Sequence, residues 1–195
     1  MRKKKDEPKL VRNMPDEFVI VAADLSLRRP GFASMNVKKK KDGCILSDIR
    51  VTSLDNKQKV RKHHGELLHE IADLMNEFYP SQPLKLPVYC VRERGLDMVS
   101  KSAKTIEALS KVIGLNDMFL WNRYKAESYE IPPYTVKRLV TGNYKAEKDE
   151  VAAALDLYVG NMSYSCDDES DAVAVAVSFL IENGLLPEYK ELKHE

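Results

Sequence analysis

The sequence predicts an α/β protein in which a mixed five-stranded sheet is flanked by helices. Apolar runs of strand length alternate with longer segments in which apolar residues recur three and four positions apart. Two early runs are joined by an Asp-Gly turn, which is typical of an antiparallel hairpin. The later runs are separated by helical segments that are long enough to connect parallel strands. Together these observations favour a sheet with both kinds of pairing.

Five strands are predicted, at residues 18–23, 32–37, 44–51, 88–91 and 127–131. The first is a continuous apolar run, which implies a central strand covered on both faces. The second and third form the hairpin, with Asp42 and Gly43 at its turn. The last strand is short and ends before Pro132 and Pro133.

Four helices are predicted from the spacing of apolar residues, at residues 60–78, 102–120, 151–158 and 168–183. Pro80 stops the first helix. Gly160 and Gly184 end the last two, because glycine readily adopts the left-handed conformation that closes a helix. The final helix is apolar on nearly all sides, so we expect it to be buried.

Length and composition favour one domain. A chain of 195 residues with 44% hydrophobic composition can bury one core, which we expect within residues 17–186. Residues 1–16 are expected to form a flexible basic arm, and residues 187–195 a charged tail. No apolar stretch approaches the ~20 residues of a membrane span. Three widely separated cysteines favour reduced thiols and a cytoplasmic protein.

Four acidic residues carry the strongest functional signal. Asp24 and Glu93 end two predicted buried strands, and Asp168 and Asp171 open the last helix. A carboxylate in such a place is costly to desolvate unless a positive charge compensates, and a divalent metal is the compensation we predict. Oxygen ligands suit Mg²⁺ or Mn²⁺ better than zinc, and such clusters serve two-metal phosphodiester hydrolysis. The alternative is that these are ordinary strand-end and helix-start acids.

Basic residues lie close in sequence to these acids, although the net charge is only +1. This arrangement fits a polyanionic ligand whose phosphates are the site of chemistry. Arg28, Arg29 and Lys148 belong to this basic group. DNA contacts are expected from its other members and from a tyrosine that can stack on a base: Arg92, Arg94, Lys101, Lys104, Lys137, Arg138, Tyr144 and Lys145.

The order of the elements and the positions of the acids match the ribonuclease H-like architecture. Two C-terminal segments, VKRLVTGNYKAEKDEV at residues 136–151 and DESDAVAVA at residues 168–176, resemble the same region of RuvC-type Holliday-junction resolvases. The resemblance extends over residues 18–184. Its two C-terminal segments are the specific part, since the N-terminal acids alone would be a weak signal.

The resemblance implies a role for each matching residue. Asp24, Glu93, Asp168 and Asp171 would be metal-binding catalytic carboxylates that hold two Mg²⁺ ions, with Mn²⁺ able to substitute. Lys137 and Lys148 match lysines that the family places near the DNA backbone and the scissile phosphate, and Lys148 would assist catalysis. This sequence departs from the family in having Leu-Ser after Asp24, where Pro-Gly is common, and Leu96 where many members carry an aromatic. Such departures are typical of divergent members, for example phage-encoded ones.

The function implied is a metal-dependent endonuclease that resolves four-way junctions, and other branched DNA, as a homodimer. One alternative is a catalytically inactive protein that binds branched or single-stranded DNA. Another is a ribonuclease H-like structural module of a larger assembly. A sugar-kinase-like ATPase shares the core fold but would need phosphate loops and a second lobe that this length cannot hold.

Overall fold

The computed structural model describes residues 14–54, 63–81, 85–95 and 102–192. Most of the predicted basic arm lies outside these residues, as do Lys101 and Leu96. The strands are β1 (Glu17–Asp24), β2 (Gly31–Lys40), β3 (Gly43–Ser53), β4 (Val88–Glu93) and β5 (Ser128–Ile131). The helices are α1 (His64–Phe78), α2 (Ala103–Tyr124), α3 (Pro133–Thr141), α4 (Lys148–Val159), α5 (Asp167–Glu182) and α6 (Tyr189–Leu192).

The five strands form one mixed sheet in the order β3-β2-β1-β4-β5. The pairs β1–β2 and β2–β3 are antiparallel, whereas β1–β4 and β4–β5 are parallel. The predicted fold class is therefore confirmed. β1 lies at the centre of the sheet, as its continuous apolar run predicted, and six of its eight residues are buried.

Helix α3 is not among the elements that the sequence predicts. Its nine residues begin directly after β5, at the two prolines, Pro132 and Pro133, that predict only the end of that strand. Pro133 is instead the first helical residue, where proline's fixed φ and missing N–H are both tolerated. Val136, Leu139 and Val140 are buried at helical spacing, and Gly142 ends the helix with φ of 75°.

The sheet separates two apolar layers, and strand alternation assigns each side chain to one of them. Phe18, Ile20 and Ala22 of β1 contribute to the layer that contains α3, α4 and α5. The intervening residues Val19 and Val21 contribute to the layer that contains α1 and α2. Helix α5 is buried along nearly its whole length because the sheet covers one side and α3 and α4 cover the other. We call these layers the α5 face and the α2 face of the sheet.

The first part of the predicted charged tail is structured. Residues 189–192 form α6, and Tyr189 is partly buried against the core of the α5 face. A side chain at Gly142 would lie 3.2 Å from the Tyr189 ring, so α6 packs on the turn that follows α3.

Candidate active site

Asp24 and Glu93 lie side by side at the carboxyl ends of two parallel strands. The last paired residues of β1 and β4 are Ala23 and Arg92, and each acid is the next residue of its strand. Neighbouring strands are about 4.8 Å apart. Asp24 has the parity of Ala22, and Glu93 has that of Val91, both of which face α5. The two carboxylates therefore share one end and one face of the sheet.

Gly31 brings the start of α5 to the same place. It is the β2 partner of Asp24. A Cβ built on Gly31 would lie 1.8 Å from the Asp168 carbonyl oxygen and 2.4 Å from its carbonyl carbon. Only glycine permits this approach of β2 to α5. Asp168 is thus next to Asp24, and Asp171 follows one turn along α5 on the same helical face.

Two basic side chains pair with the acids of α5. Arg29 Nε lies 3.2 Å from Asp168 Oδ2, and Lys148 Nζ lies 2.8 Å from Asp171 Oδ2. Burial lowers the pKa of Lys148, but its hydrogen bond and charge interaction with Asp171 outweigh that effect and raise the pKa above its usual value, with help from Asp168 and Asp167. Lys148 is therefore a fixed positive charge at neutral pH.

The donor set fits a hard cation in its chemistry, because it consists of carboxylates alone. Within the described part of the chain, however, no three His, Cys, Asp or Glu side chains are grouped as a metal site. Asp168 and Asp171 instead direct one oxygen each to Arg29 and Lys148. Each pair involves only Oδ2, so each carboxylate retains Oδ1 as a second donor atom.

Glu169 is an acid of the α5 motif whose role the sequence did not reveal. It is buried, and it accepts hydrogen bonds from the Ser53 hydroxyl at 3.2 Å and from the Ser165 backbone N–H and hydroxyl at 2.8 and 2.7 Å. These bonds tie the start of α5 to the end of β3. Ser165 is only four residues away, but Ser53 is remote in sequence, so the spacing of the motif does not reveal the link to β3.

Arg92 does not lie beside the acids, although it precedes Glu93. Strand alternation turns it to the α2 face, where its side chain is buried and pairs with Glu130 and Asp117. Arg94 also pairs with Glu130, at 3.3 Å, but is half exposed. Arg92 thus stabilises the contact between β4 and β5, and its burial disfavours the predicted DNA contact.

Three of the remaining predicted contacts, Lys137, Tyr144 and Lys145, lie in or beside the turn between α3 and α4. Lys137 Nζ donates to the Ala146 carbonyl at 2.7 Å, which places this lysine inside the turn as a brace. Lys145 N donates to Asn143 Oδ1, which orders the tip. Tyr144 is exposed with Lys145 Nζ 5.5 Å from its ring centre. Arg138 and Lys104 are also exposed, the latter at the start of α2.

Replacement of Gly31 by alanine tests the contact between β2 and α5. A methyl group there would overlap backbone atoms of Asp168, so the strand and helix must separate. We expect Gly31→Ala to lower the free energy of unfolding by about 1–3 kcal/mol. Gly114→Ala is the control, since nothing lies within 4 Å of a Cβ in the middle of α2 and the change should be neutral or stabilising. Denaturant unfolding measures both, and equal stability of the two variants would contradict the close approach.

The architecture is of the ribonuclease H-like kind that the resemblance to RuvC-type resolvases implies. The chain superposes on the RuvC structure of Thermus thermophilus with a TM-score of 0.57 and 16% identity, over 83% of this chain and 92% of that one. The T. thermophilus RuvC in complex with a Holliday junction substrate gives a TM-score of 0.58 and 15% identity, over 85% and 95% of the two chains. This likeness confirms the predicted fold.

Sequence comparison also finds proteins named RuvC among the similar sequences. A crossover junction endodeoxyribonuclease RuvC from Prochlorococcus marinus (strain MIT 9211) is 27% identical over 165 residues, or 83% of this chain and 94% of that protein. A protein of the same name from Rickettsia massiliae (strain Mtu5) is 40% identical over 65 residues, 33% of this chain and only 41% of the relative's length. No family model matches the chain. The predicted resemblance to RuvC-type resolvases is confirmed, while a phage origin stays a prediction.

None of the helices in the described residues is long and apolar enough to cross a membrane. All three cysteines are free. Burial raises the pKa of Cys44 to about 11, and burial together with the charge of Asp117 raises that of Cys90 to about 12. Both groups are therefore neutral thiols under ordinary conditions.

Proposed function

We propose that this chain is a divalent-metal-dependent endonuclease that resolves four-way DNA junctions, and other branched DNA, by phosphodiester hydrolysis. The observation that carries the proposal is that Asp24 and Glu93 end neighbouring parallel strands and that the backbone of Asp168 packs on Gly31, the strand partner of Asp24. Relatives named crossover junction endodeoxyribonuclease support the choice of substrate. The free, neutral thiols fit a reducing compartment, and we propose a cytoplasmic location.

The four carboxylates would hold two ions per site, Mg²⁺ by preference and Mn²⁺ as a substitute. Bound divalent ions supply Lewis acidity at the phosphate and lower the pKa of the attacking water. The chain itself supplies rigidity, because Asp24 and Glu93 are fixed by a central strand pair and Asp168 by its packing on Gly31. Lys148 adds a positive charge beside Asp171, where it can offset the charge that develops on the phosphate.

The DNA would be bound by exposed basic side chains and by the aromatic ring on the turn after α3. Such contacts fix the register of the backbone without reading its sequence. Lys137 would act through the turn that it braces, and Arg92 is left out of the proposed interface. The proposed contacts are Arg94, Lys104, Arg138, Tyr144 and Lys145, and also Lys101, which lies outside the described residues.

A cleavage assay tests the proposal. Purified protein is incubated with a labelled four-way junction and Mg²⁺, in parallel with a linear duplex of the same sequence and with a chelator control. We expect nicks at symmetry-related positions of the junction, little cleavage of the duplex and none with chelator. Junction binding without cleavage in either Mg²⁺ or Mn²⁺ would contradict the proposal and favour the catalytically inactive DNA-binding alternative.

We also propose that the enzyme is a homodimer, since a four-way junction has two-fold symmetry and its resolution requires two related cuts. Helix α2 carries two exposed apolar side chains one turn apart, Met118 and Trp121, which are 57% and 52% exposed.

Trp121→Glu is expected to shift the protein from dimer to monomer in sedimentation experiments. Leu157→Glu is the control, because Leu157 is also an exposed apolar side chain but lies on α4, on the other side of the sheet from α2. A wild-type protein that sediments only as monomer, with and without junction DNA, would count against the dimer.

A further inference from the structure

Arg29 is held at the acid cluster by the fold around it. It lies in the loop between β1 and β2, and its backbone N–H donates to Ser26 Oγ at 2.9 Å. Gly31, two residues later, packs on the backbone of Asp168. Hydrogen bond and packing together hold the backbone of Arg29 beside the start of α5. From this position the side chain reaches Asp168.

The side chain meets Asp168 with only part of its guanidinium group. The contact joins Nε to Asp168 Oδ2 at 3.2 Å, and the side chains of Arg29 and Asp168 are 57% and 16% exposed. An ion pair this exposed contributes little to stability, so stability does not account for an arginine at this position. The contact with Asp168 is made through Nε, and the fork of a guanidinium group suits the oxygens of a phosphate.

A DNA phosphate can approach the four carboxylates only if nearby cations offset their negative charge. Asp24, Glu93, Asp168 and Asp171 present negative charge where a phosphodiester must approach. Lys148 offsets that charge at Asp171 from the α4 side. Arg29 offsets it at Asp168, one turn earlier on α5, from the β1–β2 loop. The two cations therefore bracket the acid-bearing turn of α5, and each comes from a different element.

We propose that Arg29 binds a DNA phosphate next to the scissile one through its Nη groups, while its Nε holds Asp168 in orientation. Arg29 is then a positioning residue that couples the substrate backbone to a carboxylate of the site. This inference rests on the proposed nuclease function, but the phosphate contact can be tested by binding alone.

The test removes the charge of the arginine and the charge of one phosphate, separately and together, and compares the effects on binding and cleavage. Variants Arg29→Gln and Arg29→Lys are compared with Arg28→Gln, a control of equal charge change at a neighbouring exposed arginine. Each protein is given junctions in which one phosphate near the cut is replaced by a neutral methylphosphonate. Junction affinity is measured with chelator present, and the cleavage rate with Mg²⁺. Thermal unfolding checks that the variants are folded.

On the unmodified junction, Arg29→Gln is expected to reduce cleavage by about 10- to 100-fold, the range of a hydrogen bond to a charged group. Neutralising one particular phosphate should weaken binding by wild type and Arg28→Gln but not by Arg29→Gln. Arg29→Lys should retain part of that sensitivity, because it keeps the charge and loses the fork. This variant also decides the matter if Arg29→Gln does not fold.

Equal sensitivity of Arg29→Gln and wild type at every phosphate would overturn the inference. So would faster cleavage or tighter Mg²⁺ binding by Arg29→Gln, since Arg29 would then compete with metal for Asp168. Wild-type protein that binds junctions without cutting them would refute the proposed function alone. In that case the affinity cycle would still decide whether Arg29 contacts a phosphate.

Discussion

Asp24→Asn is expected to lower the rate of junction cleavage by about 10³-fold or more, while junction affinity changes by no more than a few-fold. The substitution keeps the shape of the side chain and removes the negative charge that a divalent ion requires. Several kcal/mol of transition-state stabilisation depend on such an ion, which corresponds to a rate loss of this size. Binding is preserved because it depends on contacts between basic side chains and phosphates. Single-turnover cleavage and equilibrium binding measure the two effects separately.

Glu93→Gln should behave in the same way, because its carboxylate shares the end and face of the sheet with Asp24. Asp171→Asn should do so as well, because Asp171 follows Asp168 by one turn of α5. Glu127→Gln is a matched control. Glu127 is an exposed acid that precedes β5, at the opposite end of the parallel strands. The Glu127→Gln variant should cleave junctions at a rate close to that of the wild-type protein. Rapid nicking by any of the three site variants would refute the assignment of that residue to the metal cluster.

The fold could be predicted where the sequence pattern was long or punctuated. The run in β1 and the apolar length of α5 could only be buried, and Gly160 and Gly184 stopped two helices where expected. Helix α3 was missed because nine residues contain only three apolar positions at helical spacing, and two prolines obscured its start. Pro133 at the first helical position was the available signal.

The position of Asp24 and Glu93 in the fold could also be predicted, because an acid that ends a strand lies at the carboxyl end of the sheet. Their pairing with Arg29 and Lys148 could not, because it depends on how a loop and two helices meet in space. The side on which Arg92 lies is a different case. Neighbouring residues in a strand face opposite ways, so Arg92 and Glu93 could not both face α5. Period-two alternation was sufficient to assign them.

Asp167 and Asp168 lie in different environments at the start of α5, and we therefore expect opposite effects when each is replaced. Asp168 is mostly buried, packs on Gly31 and pairs with Arg29, whereas Asp167 is 63% exposed and lies 4.0 Å from Lys148. Asp168→Ala is therefore expected to be inactive in junction cleavage. Asp167→Ala should keep substantial activity and lose at most about 1 kcal/mol of stability, because a first-turn acid interacts mainly with the helix dipole.

Both variants should be measured beside the double variant Asp167→Ala/Asp168→Ala, by single-turnover cleavage and by denaturant unfolding. If Asp168 is the metal ligand, the double variant is as inactive as Asp168→Ala. Because the two acids are neighbours and both interact with Lys148, the difference between the double loss of stability and the sum of the single losses measures their coupling. An inactive Asp167→Ala beside an active Asp168→Ala would mean that the ligand of α5 lies one residue earlier. The pair four apart, Asp167 and Asp171, both within 4.0 Å of Lys148, would then be the metal-binding pair of this helix.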